Sequence, residues 1–332
     1  MKIIVEKNIP YFDSLPQSIK PDVVRLKPGD ITPQALSDAT ALIIRTRTKC
    51  DEGLLSESSV RFIGTATIGT DHIDMEYCHR HGISVHNAPG CNAPAVAQWV
   101  MASIGYWIKD KHPQINPNDL TLGIVGVGHV GSIVARWAET LGFRTMLSDP
   151  PLGMTATTAD LARECNIITF HTPHTIDGQF PTHHLFGKKT AEIFNSSGKN
   201  AKLLLNAARG PVTDTAALMQ FDGDLCIDCW ENEPRISLDL LEKAYIATPH
   251  IAGYSVEGKQ RASAMIIAEL CKFLGVDYMP QMPSAPLLGA ASPTLRGIME
   301  SYNPLLDTSR LKDDPCRFEE LRNKYTLRHE VM

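Results

Sequence analysis

Residues 121–149 read TLGIVGVGHVGSIVARWAETLGFRTMLSD, and the order of elements in this stretch decides the fold class. TLGIVGV is an apolar run of strand type. Gly126, Gly128 and Gly131 follow in GxGxxG spacing, and HVGSIVARWAETLG has the apolar period of an amphipathic helix ending at Gly142. FRTMLSD is then a second strand that closes on Asp149. The glycine spacing alone is a weak signal. Strand, glycine turn, helix, strand and acid in sequence are what a βαβ dinucleotide-binding unit requires. The glycines allow a tight turn and let the backbone approach a pyrophosphate. The helix start at His129 and Val130 adds free N–H groups and the positive end of the helix dipole. Asp149 stands where a carboxylate accepts hydrogen bonds from the adenosine ribose hydroxyls. It would repel the extra phosphate of NADP, so NAD is the expected cofactor.

Outward from this unit, apolar strand-like runs recur along the chain: KIIVE, ALIIRT, RFIGTAT, SVHNAP, NIITFHT, AKLLLNAA, LCIDCW and AYIATP. Helical patterns or turns separate most of them, which predicts parallel sheets with helices on both faces. Many of these strands are apolar throughout, as in sheets covered on both sides. The expected fold is α/β, with two Rossmann-like or flavodoxin-like domains. A helix pattern from Pro94 to about Lys109 leads into the nucleotide unit, and another, SVEGKQRASAMIIAELCKFLGV, follows His250. If both helices cross between domains, residues 1–92 and 253–278 form a discontinuous substrate-binding domain. Residues 93–252 then form the NAD-binding domain. From residue 279 the composition turns rich in proline, alanine and serine (MPQMPSAPLLGAASPTLRG), as in a linker or extended arm, before the charged, helix-like DPCRFEELRNKY.

With 332 residues, 43% hydrophobic and 21% charged, the chain has the composition of a soluble globular protein of two domains. A net charge of -5 argues against nucleic acid as a partner but not against a small anion held by local cations. MKIIVEKNIP reads as a first strand, not a signal peptide, and no apolar run spans a bilayer, so no membrane partner and a cytoplasmic location are expected. The eight cysteines are scattered among apolar neighbours, consistent with reduced, buried thiols. Cys226 and Cys229 fall in a strand-like run where positions three apart face opposite sides. Cys78, His79 and His81 read as the polar end of a helix stopped by Gly82, and no metal site is expected.

Three segments carry candidate chemistry. LLLNAARGPVTD ends an apolar strand with Arg209 in a Gly/Pro loop; DCWENEP places Asp228 at a strand end and Glu233 before a proline; IATPHIAGYS holds His250. A histidine in apolar surroundings is ordinarily a core or strand-end residue, and each of the other two has an equally plain reading alone. All three, however, lie just past strands of one domain, where an α/β sheet presents ligand contacts. A nicotinamide-dependent oxidation needs a base for the substrate hydroxyl and a cation to orient the substrate.

GIVGVGHVG, NAARG, DCWENEP and PHIAGYS, in this order, resemble the D-isomer-specific 2-hydroxyacid dehydrogenases over roughly residues 1 to 275. The resemblance implies that His250 is the acid–base residue, Glu233 its hydrogen-bonded partner and Arg209 the carboxylate-orienting cation. A glutamate beside an imidazole favours the imidazolium, and an arginine can make paired hydrogen bonds to a carboxylate. Besides the glycine turn and Asp149, the resemblance assigns Thr172, Ala207, Ala208, Arg209, Asp228 and Gly253 to NAD.

IIRTRTKC, GTATIGTDHID and the tail further resemble a branch of the family that acts on a phosphorylated four-carbon 2-hydroxy acid in vitamin B6 biosynthesis. Arg45, Thr46, Thr67 and Tyr254 are then expected substrate contacts. Arg45, Arg47 and Lys49 alternate, so on a strand they would share one face and could hold a phosphate. YNPLLDTSRLKDDPCRFEELRNKYTLRHE resembles the end of that branch's dimerisation domain, which implies a homodimer through a shortened α+β region at 279–332. Two other readings stay open: a dehydrogenase for 3-phosphoglycerate or another D-2-hydroxy acid, and an NAD-sensing binding protein on the same fold.

Overall fold

The computed structural model describes residues 1–283 and 294–331. They form two compact units, Met1–Asn92 with Val256–Ala285, and Ala93–Ser255 with Pro286–Met332.

The first unit is built on a five-stranded parallel sheet: β1 (Ile3–Glu6), β2 (Val23–Leu26), β3 (Ala41–Ile44), β4 (Phe62–Thr65) and β5 (Ser84–His86), in the order β2-β1-β3-β4-β5. Alternation along the strands fills two cores. Ile3, Val5, Ile43 and Phe62 meet Ile266, Ile267 and Leu270 of the helix Val256–Phe273 on one face. Ile4, Leu42, Ile44 and Ile63 meet Leu36, Leu55 and Tyr77 on the other. Both faces are covered, which is why the central strands β1, β3 and β4 are buried along their whole length. A Cβ on Gly64 would lie 2.5 Å from Ile266, so the helix rests directly on β4.

The second unit holds seven strands: β6 (Thr121–Val125), β7 (Arg144–Asp149), β8 (Met154–Thr155), β9 (Ile167–Phe170), β10 (Leu203–Asn206), β11 (Asp224–Ile227) and β12 (Ile246–Ala247). Their order is β12-β11-β10-β9-β6-β7-β8, and every pair is parallel except β7 with β8. The order reverses between β6 and β9, the switch point at which such sheets bind ligands. One face packs Trp99, Ile104 and Trp107 of the helix Ala93–Lys111 and Val134 and Trp137 of the helix His129–Thr140. The opposite face packs Leu161, Phe194, Leu218 and Leu240.

Two expectations change. The strand β3 stops at Ile44, and residues 45–49 form a turn, so Arg45, Arg47 and Lys49 do not share a strand face. The buried Glu6 carboxylate causes the turn, accepting Arg45 N–H at 3.1 Å and the Arg45 side chain at 3.2 Å. The tail, expected to be α+β, is helical among the described residues: Leu295–Ser301, Pro304–Asp313 and Phe318–Asn323. These helices pack into the second unit, with Ile298 and Tyr302 in one core and Leu311 and Phe318 in the other. Thr308 also accepts the β12 Ala247 N–H at 3.0 Å, which covers an edge strand. Most of the expected linker, residues 284–293, lies outside the described residues.

Seven of the eight cysteines are buried and none of the eight forms a disulfide. No described helix is long and apolar enough to cross a membrane.

Candidate active site

The glycine turn leaves β6 at Val125, with Gly126 at φ +85°. A Cβ on Gly131 would stand 1.9 Å from the Gly126 carbonyl oxygen, and one on Gly126 would stand 2.9 Å from the His171 backbone and from Thr172. Only glycine permits these approaches. At Gly128 the opposite holds, with nothing within 4 Å of a Cβ, so this backbone faces open space. Gly128 is the N-cap of the helix His129–Thr140 and no side chain caps it, which leaves its first N–H groups for a ligand. Asp149 accepts the Val127 N–H at 2.7 Å, tying the acid at the end of β7 to the turn. Beside them, the Thr172 hydroxyl is buried with no hydrogen-bond partner among the described residues. An open glycine cradle, an uncapped helix start, an acid and an orphaned hydroxyl fit a dinucleotide.

Arg209, Glu233 and His250 follow β10, β11 and β12, three neighbouring parallel strands, so one end of the sheet presents all three. Asn206 closes the Arg209 loop, donating to the Arg209 carbonyl and to Thr213 at 3.0 Å each while accepting the Ala208 N–H at 3.1 Å. Arg209 donates to the Ala208 carbonyl at 2.8 Å. A Cβ on Gly210 would lie 2.0 Å from the Trp230 oxygen, so this loop touches the next one directly. Ala207 and Ala208 occupy the step between strand and arginine.

His250 Nδ1 lies 2.5 Å from Glu233 Oε1. A carboxylate on Nδ1 selects the tautomer with the proton there and leaves Nε2 for a substrate. Glu233 also accepts the Trp230 N–H at 3.2 Å. Burial pushes the Glu233 carboxyl up, but His250, Arg322 and the Trp230 N–H outweigh it and hold the group below the ordinary range. Burial pushes the Cys229 thiol well up, reinforced by the charges of Asp228 and Glu233 and opposed by those of Arg209 and Arg322.

His250 sits at φ +56°, a left-handed conformation that is costly for a non-glycine residue. Asp228 imposes it. Its carboxylate accepts the Ile251 N–H at 2.7 Å, the Ala252 N–H at 3.0 Å and the Thr248 hydroxyl at 2.6 Å, and its carbonyl accepts the His250 N–H at 2.9 Å. Only 1% of Asp228 is exposed, and burial raises its carboxyl above the usual range despite His250 and these donors. Sequence reading gave Asp228 to NAD; the structure gives it a second task, clasping the histidine loop.

Two tail residues escaped sequence reading altogether. Arg322 Nη1 lies 3.7 Å from Glu233 Oε1 and its side chain hydrogen-bonds Tyr254. Arg328 donates to the carbonyls of Ile251 and Tyr254 at 3.1 Å, of Ala95 at 3.0 Å and of Ala252, and to Gln98 Oε1 at 3.1 Å. Its guanidinium also stacks over Tyr302, 4.2 Å from the ring centre. Gly253 lies within the span that Arg328 grips. No local pattern marks either arginine, since their partners are remote in sequence.

In the first unit, Arg45 pairs with Glu6, Lys49 pairs with Asp51 at 2.8 Å, and Thr46 sits in the turn between them. Thr67 shares a hydrogen bond with Thr65 at 2.7 Å and donates to the Gly69 carbonyl at 3.2 Å.

A doubly wound sheet with an open glycine turn at its switch point, and a histidine–glutamate pair at the same strand ends, defines a dinucleotide-dependent dehydrogenase class. Residues 3–281 match the D-isomer specific 2-hydroxyacid dehydrogenase catalytic domain, and the chain belongs to that family. It is 42% identical over 345 residues to an erythronate-4-phosphate dehydrogenase of Bacteroides thetaiotaomicron, covering 99% of this chain and 97% of that protein. It is 36% identical over 359 residues to one of Porphyromonas gingivalis, covering 100% and 94%. The fold is shared with NAD+-bound 3-phosphoglycerate dehydrogenase of Entamoeba histolytica (TM-score 0.66, 23% identity, 83% of this chain and 95% of that one). It is shared also with D-lactate dehydrogenase of Aquifex aeolicus (TM-score 0.63, 24% identity, 82% and 96%).

Proposed function

We propose that the chain oxidises 4-phospho-D-erythronate to (R)-3-hydroxy-2-oxo-4-phosphooxybutanoate with NAD, a step of pyridoxal 5'-phosphate biosynthesis. The observation that carries the reaction type is the 2.5 Å contact between His250 and Glu233 at the strand ends beside the glycine turn. The substrate rests on the full-length similarity to erythronate-4-phosphate dehydrogenases, which includes the tail.

NAD, when bound, accepts the hydride from C2 of the substrate. His250 Nε2 takes the hydroxyl proton as the carbonyl forms, so one hydroxy acid and NAD+ give one oxo acid, NADH and a proton. Glu233 keeps Nδ1 protonated and the ring oriented, and stabilises the imidazolium. Arg209 holds the substrate carboxylate and polarises the developing carbonyl. The NAD contacts are Gly126, Gly128, His129, Val130 and Gly131 for the pyrophosphate and Asp149 for the ribose. Thr172, Ala207, Ala208, Arg209, Asp228 and Gly253 complete them. Arg45, Thr46, Thr67 and Tyr254 contact substrate. Residues 1–92 with 253–278 are the substrate-binding domain, 93–252 the NAD-binding domain and 279–332 the dimerisation region of a cytoplasmic homodimer.

The test is NADH formation by purified protein with 4-phosphoerythronate, 3-phosphoglycerate and unphosphorylated erythronate at equal concentration. In a separate control a 2-oxo acid recycles any NADH that stays bound, and hydroxy-acid consumption is measured. Preference for 4-phosphoerythronate is expected. A preference for 3-phosphoglycerate keeps the chemistry and overturns the substrate; turnover of no hydroxy acid favours the NAD-sensing binding protein.

A further inference from the structure

The last helix, Phe318–Asn323, brings Arg322 to the oxygen of Glu233 that already bonds His250. Nothing in the reaction as described uses this second cation. Arg322 is itself held, by a hydrogen bond to Tyr254 and by Glu319 at 3.8 Å, and its side chain is only 20% exposed. A half-buried cation 3.7 Å from one oxygen of the proposed catalytic carboxylate calls for an account.

His250 alternates between one and two ring protons during turnover. As an imidazolium it neutralises Glu233. As a neutral ring, the state that must accept the hydroxyl proton, it leaves the largely buried carboxylate without its nearest cation, and burial then favours the protonated acid. A protonated Glu233 would donate to Nδ1, and the ring would carry its proton on Nε2, the atom that has to accept. The dyad would be idle. A guanidinium does not titrate in this range and supplies a permanent counter-charge.

We propose that Arg322 is a positioning residue of the dyad: it keeps Glu233 an anion when His250 is neutral, and so fixes the direction of the Nδ1–H to Oε1 hydrogen bond. The C-terminal helix thereby belongs to the catalytic apparatus. The other groups around Glu233 do not take over the task. Arg209, after β10, is assigned to the substrate carboxylate; Asp228 and Cys229, on its own loop, and Glu319, on the last helix, bring no positive charge. Tyr254 is neutral. The proposal rests on the assignment of His250 and Glu233 as the dyad, and its first test needs no substrate.

The Glu233 side-chain carboxyl is titrated by carbon NMR in the parent protein, Arg322→Gln and Arg322→Lys, with Glu233→Gln identifying the signal. In Arg322→Gln the carboxyl should protonate at a pH higher by about one unit, the scale of a lost neighbouring charge, and Arg322→Lys should stay near the parent. In turnover, the acid limb of the kcat/KM profile for oxidation should move the same way in Arg322→Gln, with activity regained at higher pH. A carboxyl titration unmoved in Arg322→Gln, with a pH profile lowered uniformly, would make Arg322 a structural residue and overturn the proposal. If the Gln variant fails to fold, a Lys variant with a displaced titration and parental stability does the same. A parent protein without turnover would defeat the functional reading alone, since the titration is read independently.

Discussion

His171, the first residue after β9, lays its backbone against the glycine turn, and burial of its ring drives the imidazole down to about 3. One ring nitrogen meets the Thr169 hydroxyl at 3.1 Å and the other is buried with no partner among the described residues. The folded state therefore binds this proton far more weakly than the unfolded chain, whose histidines titrate near 6.5. Unfolding is favoured wherever the unfolded state carries more protons, so the contribution is complete above about pH 6.5 and is lost as pH falls toward 3. The slope contributed is at most about 1.4 kcal/mol per pH unit. Urea unfolding of the parent and of His171→Gln from pH 7 to 4 checks this: the variant should lose less stability on acidification, and parallel curves would refute it. The same scale shows what a sequence reveals about a residue. His250 and Glu233 were legible because each follows an apolar strand in a distinctive loop. The clasp by Asp228 was not, because its partners Ile251 and Ala252 lie 23 and 24 residues away.

A glycine turn is an element whose glycines have separate tasks, and two substitutions distinguish them. Gly131→Ala would put a methyl 1.9 Å from the Gly126 oxygen, so the turn has to open, at a cost of about 1–3 kcal/mol, and NAD affinity should fall more than tenfold. Gly128→Ala meets nothing within 4 Å and should leave unfolding unchanged while still weakening NAD, if the backbone there approaches the pyrophosphate. Calorimetric NAD titration together with thermal unfolding reads both; unchanged NAD affinity in Gly128→Ala would remove the cofactor from that face. This element was legible because strand, turn and helix each leave a periodic signature within one short window. Other elements leave none. β2 is short, with half-exposed residues and Arg25 within it, and β8 is only two residues long. The turn at 45–49 reads as strand until Glu6, far away in sequence, is seen to draw the Arg45 backbone inward.

At the scale of the whole molecule, the second unit is closed by residues from the far end of the chain. Arg328 enters the unit as a buried cation, and its donors satisfy carbonyls of the helix Ala93–Lys111 and of the segment after His250 together. Ser255 and Glu330 bond at 2.7 Å one step further along. By resemblance the tail reads as a dimerisation region, and nothing in its own pattern says that it braces the loop that carries His250. Such a brace is invisible locally because its arginine serves backbone carbonyls, which every sequence possesses. Arg328→Met keeps much of the volume but leaves several buried carbonyls without donors, so a loss on the order of 3–5 kcal/mol is expected. Arg328→Lys retains the charge but not the fork that spans both segments, and it should recover only part of that loss. Urea unfolding measures the stability. If the brace also positions His250, kcat falls in the Lys variant under conditions where it remains folded, with NAD affinity close to parental. A Lys variant with parental kcat would restrict Arg328 to stability, and a Met variant as stable as the parent would show that water replaces the guanidinium on those carbonyls.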